Sequence, residues 1–305
     1  MERDAPEQPI LEVSPSQRAT VGHIEVRRAL PRRSRRTIGA WCFADHMGPA
    51  EVTLNAGLDI GPHPHVGLQT VTWLIEGEAL HRDSLGSEQV IAPGQLNLMT
   101  AGHGVTHSEE ATGDYEGPLQ GIQLWVALPD VSRSGPAAFE HHAELPVSEG
   151  RGGLSTVLVG DFNGLHSPAR HDTPLVGVDL ALLGSTLLPL RVDFEYALIV
   201  LEGALSINGT PLEPENLGYL SPGLDEVELK VLGPTRAILL GGEPWPEPPL
   251  MWWNFVARSR AEIDAAYASW TAPDGRFGEL VSSLARIDTP APYWQTGPRH
   301  REISS

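Results

Sequence analysis

The chain has 305 residues and a formal net charge of −18, with 39 acidic side chains against 21 Lys and Arg. This balance argues against direct nucleic-acid binding, which depends on neutralising phosphates with Lys and Arg. The single cysteine, Cys42, excludes an intramolecular disulfide and a cysteine-based zinc site. Apolar runs such as residues 197–201 are too short to cross a bilayer, and the first residues lack the apolar core of a signal peptide. We therefore expect a soluble, cytoplasmic protein.

Short apolar runs separated by glycine and proline predict an all-β protein. Residues 1–20 are polar and contain proline, which predicts a loose arm. Residues 21–128 then alternate strand-like runs with turns, and residues 129–153 are again polar. We place the domain linkage in that polar stretch, with one domain at residues 1–135 and the other at residues 136–305.

Six arginines lie within ten residues at the start of the strand-rich region: Arg27, Arg28, Arg32, Arg33, Arg35 and Arg36. Such a basic cluster could contact a phosphate, an acidic protein partner or an anionic substrate. It could also be an exposed strand and turn whose arginines pair with the acidic surface of the same protein. We favour the second interpretation.

Two short segments of the first half each pair potential metal ligands. They are His63-Pro64-His65 and, about forty residues later, His107-Ser108-Glu109. Residues two apart on a β-strand share a face, so two such strands side by side in a barrel would aim three imidazoles and one carboxylate at one point. This donor set suits a divalent transition metal. The alternative is that these residues are buried for structural reasons, but an unpartnered buried carboxylate would be costly.

Other side chains are weaker candidates. His103 shares the strand parity of His107, but its flanking glycines predict a turn, and we do not favour it as a ligand. His81 lies in a polar hairpin and is expected at the surface or beside a ligand. Cys42 has apolar neighbours and is expected to be a buried, unreactive thiol. Four histidines in polar, loop-like segments are expected to be exposed: His141, His142, His166 and His171.

The second half of the chain repeats the first. A shift of about 126 residues aligns residues 72–77 with residues 198–203, and in both segments a strand-like run ends in Glu-Gly. Under this offset Pro189 falls opposite His63, and Arg191 falls opposite His65. The second half is therefore predicted to be a degenerate copy in which the candidate ligand positions are lost.

One helix is predicted near the carboxyl end. Residues 259–262, Ser-Arg-Ala-Glu, fit a capping box. An apolar stripe with helical spacing follows, which predicts packing against a barrel face, and its members are Ile263, Ala266, Tyr267 and Trp270. Pro273 and Gly275 end the helix. The last dozen residues are expected to be poorly ordered.

The ligand segments resemble the two motifs of the cupin superfamily. Residues 57–77, from Gly57 to Gly77, resemble the first motif, although its glutamate is absent and Gln69 is the nearest polar substitute. Residues 94–107 resemble the second motif, with Thr100 at the usual proline. Longer stretches resemble the pirin family, and they are residues 45–49 (Asp-His-Met-Gly-Pro), 63–67, 81–86 (His-Arg-Asp-Ser-Leu-Gly), 99–104, 107–109, 121–126 and 241–244.

The resemblance to pirins implies two tandem cupin barrels, which are double-stranded β-helices or jelly rolls, beside the short C-terminal helix. It also implies one metal in the N-terminal barrel, with a ligand set that agrees with the strand-parity argument: His63, His65, His107 and Glu109. The implied metal is Fe(II), whereas Mn, Ni, Cu, Co and Zn also tolerate such ligands. Three residues beside the ligands depart from those common in pirins and are expected to affect substrate preference: Val66, Leu68 and Gln69.

Some pirin-like proteins resemble quercetinases, which open a flavonol ring with O2. The leading hypothesis is therefore a metal-dependent dioxygenase, similar to quercetin 2,3-dioxygenase, whose partners are a flavonol-like aromatic substrate and O2. Glu109 would be a ligand or a general base that takes the substrate proton. The alternative is a metal- or redox-responsive regulatory protein that binds a partner through the cluster at residues 27–36. A third hypothesis is a metal that only stabilises the fold, and the family resemblance favours a monomer.

Overall fold

The computed structural model describes residues 10–54, 56–245 and 247–296. The strands up to residue 142 are β1 (Leu11–Pro15), β2 (Gln17–Val21), β3 (Ile24–Leu30), β4 (Trp41–Val52), β5 (Ile60–His65), β6 (Leu68–Glu76), β7 (Ala79–Asp83), β8 (Glu88–Ile91), β9 (Leu96–Thr100), β10 (Val105–Glu110), β11 (Gly117–Ala127) and β12 (Ala138–His142). The later strands are β13 (Val147–Gly150), β14 (Gly153–Phe162), β15 (Leu165–His166), β16 (Leu175–Leu182), β17 (Thr186–Pro189), β18 (Glu195–Glu202), β19 (Leu205–Ile207), β20 (Thr210–Leu212), β21 (Asn216–Leu220), β22 (Glu226–Val231), β23 (Thr235–Gly242), β24 (Leu250–Trp252) and β25 (Phe255–Ala257). The helices are α1 (Arg260–Thr271) and α2 (Tyr293–Thr296).

The strands form two barrels, each made of two antiparallel sheets that pack against each other. In the first barrel, a seven-stranded sheet in the order β12-β9-β6-β11-β4-β3-β2 packs against the sheet β5-β10-β7-β8. In the second, an eight-stranded sheet in the order β1-β21-β18-β23-β16-β14-β13, with β15 beside β14, packs against β17-β22-β19-β20. The structure agrees with the predicted repeat, because β5 and β6 correspond to β17 and β18 at an offset of about 126 residues.

Two edge strands pair across the predicted domain boundary. Strand β1 pairs with β21 of the second barrel, and β12 pairs with β9 of the first. The prediction of a loose arm at residues 1–20 is wrong for residues 10–20, because β1 and β2 both form backbone ladders there. Residues 1–9 lie outside the described residues. The boundary between residues 135 and 136 stays a prediction.

The interiors of the two barrels differ. Buried apolar side chains fill the second barrel, for example Val178, Leu198 and Leu239. The first barrel buries histidines and a carboxylate among its apolar residues. Between the barrels, Nε1 of the buried Trp41 donates to the carbonyl oxygens of Val176 (3.1 Å) and Gly241 (3.2 Å). The shared core joins the barrels, and among the described residues only the first barrel brings three potential ligands close together.

The predicted helix is confirmed as α1. Ser259 is its N-cap and accepts a hydrogen bond from the backbone N–H of Glu262. Three residues of the apolar stripe are buried in a cluster with Val66 and Phe255, namely Ile263, Ala266 and Trp270, and Tyr267 is partly buried against that cluster. Trp294 and Gln295 belong to the short helix α2, so the expected loss of order in the last dozen residues is wrong for them, and residues 297–305 lie outside the described residues. Within the described ranges, no helix is both long and apolar enough to cross a bilayer.

Candidate metal centre

Two adjacent strands bring the predicted histidines together. Strands β5 and β10 are antiparallel neighbours, and His107 lies opposite His63. Because alternate residues share a face, His63, His65 and His107 all line the interior of the first barrel. The ring centroids lie 4.3 Å (His63–His107), 4.8 Å (His65–His107) and 5.0 Å (His63–His65) apart. Their candidate ligand atoms all lie within 4.8 Å of one another.

The three rings differ in the partners of their Nδ1 atoms. Nδ1 of His63 donates to the carbonyl oxygen of Gly61 at 2.8 Å, and Nδ1 of His107 lies 3.5 Å from Nδ1 of His81. Nδ1 of His65 is buried and has no hydrogen-bond partner among the described residues. An unpartnered buried polar atom is costly, and a metal ion would remove that cost. The orphaned nitrogen and the set of imidazole donors therefore fit a transition metal.

Burial keeps the three imidazoles neutral. Desolvation lowers the pKa of His63 to about 4. It also lowers the pKa values of His65 and His107 well below the usual value for histidine. A metal binds the neutral form of imidazole, so at neutral pH these rings need not lose a proton before they bind an ion.

Glu109 lies in the same cavity but outside the close triad of histidines. It is buried, and the pairing register shifts between His107 and Glu109, which interrupts the β5–β10 ladder. Burial raises the pKa of Glu109 to about 7, and a hydrogen bond with Thr72 opposes this shift. A carboxyl group with such a pKa exchanges its proton near neutral pH. Glu109 can therefore serve as an anionic oxygen ligand or as a proton acceptor.

A fourth histidine, His81, and a carboxylate, Asp83, lie on strand β7 next to His107. Strand β7 places Asp83 opposite His107, and Oδ2 of Asp83 lies 3.1 Å from Nε2 of His81. Oδ1 of Asp83 accepts hydrogen bonds from the backbone N–H groups of Leu85 and Ser87. His81 is only 5% exposed, so the interpretation as a surface residue is wrong and the alternative, a residue beside a candidate ligand, describes it. Such partners fix the orientation of a ligating ring.

A cavity of about 360 Å³ opens beside the three histidines. This volume is typical of small-molecule sites. Phe43 and Trp125 stack with centroids 4.0 Å apart, and Trp125 meets the ring of His65 edge-on at 5.1 Å. Apolar side chains form much of the remaining wall, and they are Val26, Met47, Leu58, Ile60, Trp253 and Ile287. The wall suits a flat aromatic ligand.

One ion pair lies in the cavity wall. Nε and Nη2 of Arg28 donate to the carboxylate of Asp45 at 2.8 Å and 2.7 Å, and the guanidinium lies 4.7 Å from the ring centroid of Phe43. Burial raises the pKa of Asp45, against the effect of Arg28. Among the described residues that line the cavity, Arg28 is the one basic side chain other than histidine. A guanidinium has five N–H donors, so Arg28 can also donate to an oxygen of a bound ligand.

Sequence reasoning missed most of this wall. The alternation of side chains along a strand could have identified these residues, because residues two apart share a face. The missed residues form such pairs: Val26 and Arg28 on β3, Phe43 and Asp45 on β4, and Gln123 and Trp125 on β11. Trp253 and Ile287 have no comparable signal, because they lie far along the chain from the strands of the first barrel.

Four residues that were expected around the site do not line the cavity. Nε2 of Gln69 donates to Oγ1 of Thr100 at 3.0 Å. Val66 packs with residues of β25 and α1, Leu68 is fully buried, and His103 is exposed in the predicted turn. Any effect of these residues on substrate choice would be indirect.

The expectation of exposure is wrong for three of the four loop-like histidines. His166 is exposed, whereas His141, His142 and His171 are half-buried. Nδ1 of His141, for example, lies 2.7 Å from Oδ1 of Asn97. The expectation for Cys42 agrees with the structure, because the thiol is fully buried and burial raises its pKa to about 12.

The protein's own groups engage half of the arginine cluster. Besides the Arg28–Asp45 pair, Arg35 pairs with Glu12 at 3.1 Å and lies over the ring of Tyr219. Arg27 donates to the carbonyl oxygen of Gly48 and lies 3.7 Å from Glu215. The favoured interpretation therefore describes these three. The other three make no ion pair with any described residue: Arg32, Arg33 and Arg36.

The second barrel lacks an equivalent cluster. Arg191, at the position that corresponds to His65, pairs with Asp193 at 2.6 Å. In the part of the chain that the structure describes, the three histidines of the first barrel are the only group of three or more potential ligands held this close.

Two jelly-roll barrels in tandem, with histidines gathered inside the first, define a bicupin. The family model for pirin matches residues 23–126, and the model for the pirin C-terminal cupin domain matches residues 176–278. The chain belongs to the pirin family.

Named relatives and solved structures resemble most of the chain. A Pseudomonas aeruginosa protein named "Putative quercetin 2,3-dioxygenase" is 48% identical over 277 residues, which cover 90% of this chain and 88% of that protein. The crystal structure of quercetin 2,3-dioxygenase from Acinetobacter baumannii has a TM-score of 0.90 and 46% identity, and covers 93% of this chain and 96% of that one. A bacterial pirin from Escherichia coli in complex with nickel(II) has a TM-score of 0.63 at 17% identity, covers 77% of this chain and 100% of that one, and shares the fold.

Proposed function

We propose that this pirin is a metal-dependent dioxygenase that opens the ring of a flavonol-like substrate with O2, as a quercetin 2,3-dioxygenase does. One observation carries the proposal: three buried, neutral imidazoles converge beside an aromatic-walled cavity of about 360 Å³. The similarity to the Pseudomonas and Acinetobacter proteins supports the same reaction class.

The ligands proposed for a single divalent transition metal are His63, His65, His107 and Glu109. Fe(II) is the metal we propose, and Mn, Ni, Cu, Co and Zn also tolerate this donor set. When bound, the metal would supply a Lewis acid and a redox-active centre beside the cavity. Metal analysis of the protein as purified tests its identity.

The chain's own side chains would bind and orient the substrate. Phe43 and Trp125 form an aromatic wall for a flat ring system, and Arg28 offers N–H donors to a substrate oxygen. Glu109, with a pKa of about 7, can take the proton of a substrate hydroxyl whenever it is not a ligand. The apolar wall excludes water from the reacting ring.

O2 uptake by the Fe(II)-loaded protein tests the proposal. Protein loaded with Fe(II) without oxygen is transferred to a closed cell with quercetin and then with a panel of related flavonols. We expect O2 consumption by the wild type and none above the metal-free background by His63→Ala. His103→Ala is the matched control, because His103 is exposed in a turn and does not line the cavity. Metal-replete wild type that consumes no O2 with any flavonol would refute the proposal.

The second candidate is a metal- or redox-responsive regulatory protein without catalysis. It is favoured by one observation, namely that Arg33 and Arg36 are exposed and make no ion pair with any described residue. Capture of an acidic protein partner that is lost in an Arg33→Glu/Arg36→Glu variant, and that depends on bound metal, would support it. Monomeric state and cytoplasmic location stay predictions.

A further inference from the structure

A hairpin from the C-terminal part of the chain completes the cavity of the first barrel. Strands β24 and β25 are joined by the two residues Trp253 and Asn254, and both residues line the cavity beside the histidines. The hairpin belongs to neither barrel sheet, because β24 and β25 pair only with each other among the described strands. It therefore adds a separate wall to the site.

The hairpin is attached directly to the strand that carries two of the candidate ligands. Val66, which follows His65, forms a parallel bridge with Phe255, and its carbonyl oxygen accepts a hydrogen bond from the backbone N–H of Val256 at 3.0 Å. Gly67 has a φ of +71°, and a Cβ there would lie 2.1 Å from the carbonyl oxygen of Val256. The absence of a side chain at Gly67 permits this close approach, which places the turn relative to His65.

Trp253 has an unfavourable backbone conformation for its residue type. Its φ is +49°, in the left-handed region that favours glycine and that is a genuine outlier for a bulky side chain. Two-residue hairpin turns usually place glycine, asparagine or aspartate at such a position. The other non-glycine residues with positive φ in the described chain are Asp59, Asn163, Asn208 and Glu215, so Trp253 is the one aromatic among them.

The side chain of Trp253, rather than its backbone conformation, explains why a tryptophan lies in this turn. Glycine would satisfy the turn better, so a structural role in the turn does not explain a tryptophan there. The indole packs against the apolar cluster of β25 and α1 and lies edge-on to the buried Phe255, with centroids 5.9 Å apart. Trp253 also lines the cavity whose wall includes Phe43 and Trp125. Strained residues of this kind occur where the surrounding structure holds them for a function.

We propose that Trp253 is a substrate-positioning residue whose indole packs against the ring system of the flavonol and limits the cavity to flat aromatic substrates. This inference rests on the proposed function, since it names the group that recognises the rings of that substrate. Aromatic pairs prefer offset-stacked or edge-to-face contact, which a flat guest and an indole wall both allow.

Anaerobic calorimetric titration with quercetin, using the metal-loaded full-length protein, tests the inference. Trp253→Gly should weaken quercetin binding roughly 3- to 10-fold, which corresponds to the loss of one aromatic contact, while its melting temperature stays equal to or above that of the wild type. Trp253→Phe keeps an aromatic ring and should bind within about 2-fold of the wild type. Trp252→Phe is the control, because Trp252 packs on Trp294 and does not line the cavity.

The outcomes separate this inference from the proposed function. If the wild type binds quercetin and Trp253→Gly binds it equally well, the inference is wrong and the proposed function stands. If Trp253→Gly loses affinity together with several degrees of melting temperature, or Trp252→Phe weakens binding as much, Trp253 has only a structural role and the inference is also wrong. If the metal-loaded wild type does not bind quercetin or any related flavonol, the proposed function itself fails.

Discussion

Replacing Glu109 with glutamine is expected to change how the stability of the metal-free protein depends on pH. Burial raises the pKa of this carboxyl group from 4.5 to about 7 in the folded protein, so folding favours its protonated form. The resulting stabilisation is complete below the unfolded pKa and is lost as the pH rises through the folded one. Glutamine has nearly the same shape and carries no titrating proton, so Glu109→Gln should not show this loss.

The size of the effect follows from the two pKa values. A shift from 4.5 to about 7, at about 1.36 kcal/mol per pKa unit, corresponds to about 3 kcal/mol. The free energy of unfolding of the wild type should therefore fall by about 3 kcal/mol relative to Glu109→Gln over this pH range. His63 acts in the opposite direction, because burial lowers its pKa to about 4. That contribution is common to both proteins and cancels in the difference to first order.

Urea unfolding of chelator-treated protein, at intervals from about pH 4.5 to about pH 8, measures this difference. Saturation with a divalent metal provides a second comparison, because a coordinated carboxylate has lost its proton. The metal-loaded wild type should then be the more stable of the two proteins at neutral pH. A difference that stays constant across the pH range in the metal-free proteins would show that Glu109 is not held as a neutral acid and that its pKa is not raised towards neutrality.

Three further predictions concern other parts of the molecule. The buried thiol of Cys42, with its pKa raised to about 12, should react with a disulfide reagent only after unfolding, and labelling of the native protein would contradict its burial. Ser259→Ala removes the N-cap of α1 and should lower the free energy of unfolding by about 1 kcal/mol; an unchanged urea midpoint would show that the cap is not needed. Arg28→Met should cost about 2 kcal/mol at neutral pH, because it leaves the carboxylate of Asp45 buried without its hydrogen-bond partner. That loss should shrink in acid, where the carboxyl is protonated, and an equal loss at both pH values would contradict this explanation.

Period-two alternation explains why the histidine triad could be predicted from the sequence. Each pair of ligand candidates lies on one strand, and one ladder joins the two strands, so parity alone aims His63, His65 and His107 at the same point. The cap and stripe of α1 were equally local signals, and the structure confirms both. The same rule identifies residues beside a ligand as poor candidates for the cavity wall. Val66, for example, directly follows His65 and packs with residues of β25 and α1 instead.

The remaining features depend on contacts between distant segments. Strand β1 has the short, partly polar sequence Leu-Glu-Val-Ser-Pro, which does not indicate a strand until its partner β21 is known. Trp253 lies about 190 residues beyond His63 in the sequence, and only the path of the C-terminal segment brings it to the cavity. Neither composition nor periodicity predicts where the C-terminal segment packs, because tertiary contacts determine its position.

The late position of Trp253 and Ile287 in the chain has a consequence for synthesis. Strands β2 to β12, which form the first barrel, precede Trp253 by more than 100 residues, and N-terminal units generally fold first as the chain emerges from the ribosome. A nascent first barrel would hold its three histidines beside an unfinished, open hollow. A metal ion could then reach them directly, and the C-terminal segment would cover the hollow afterwards. In this order of events, a segment that is synthesised later closes a cavity whose histidine-bearing strands have already formed.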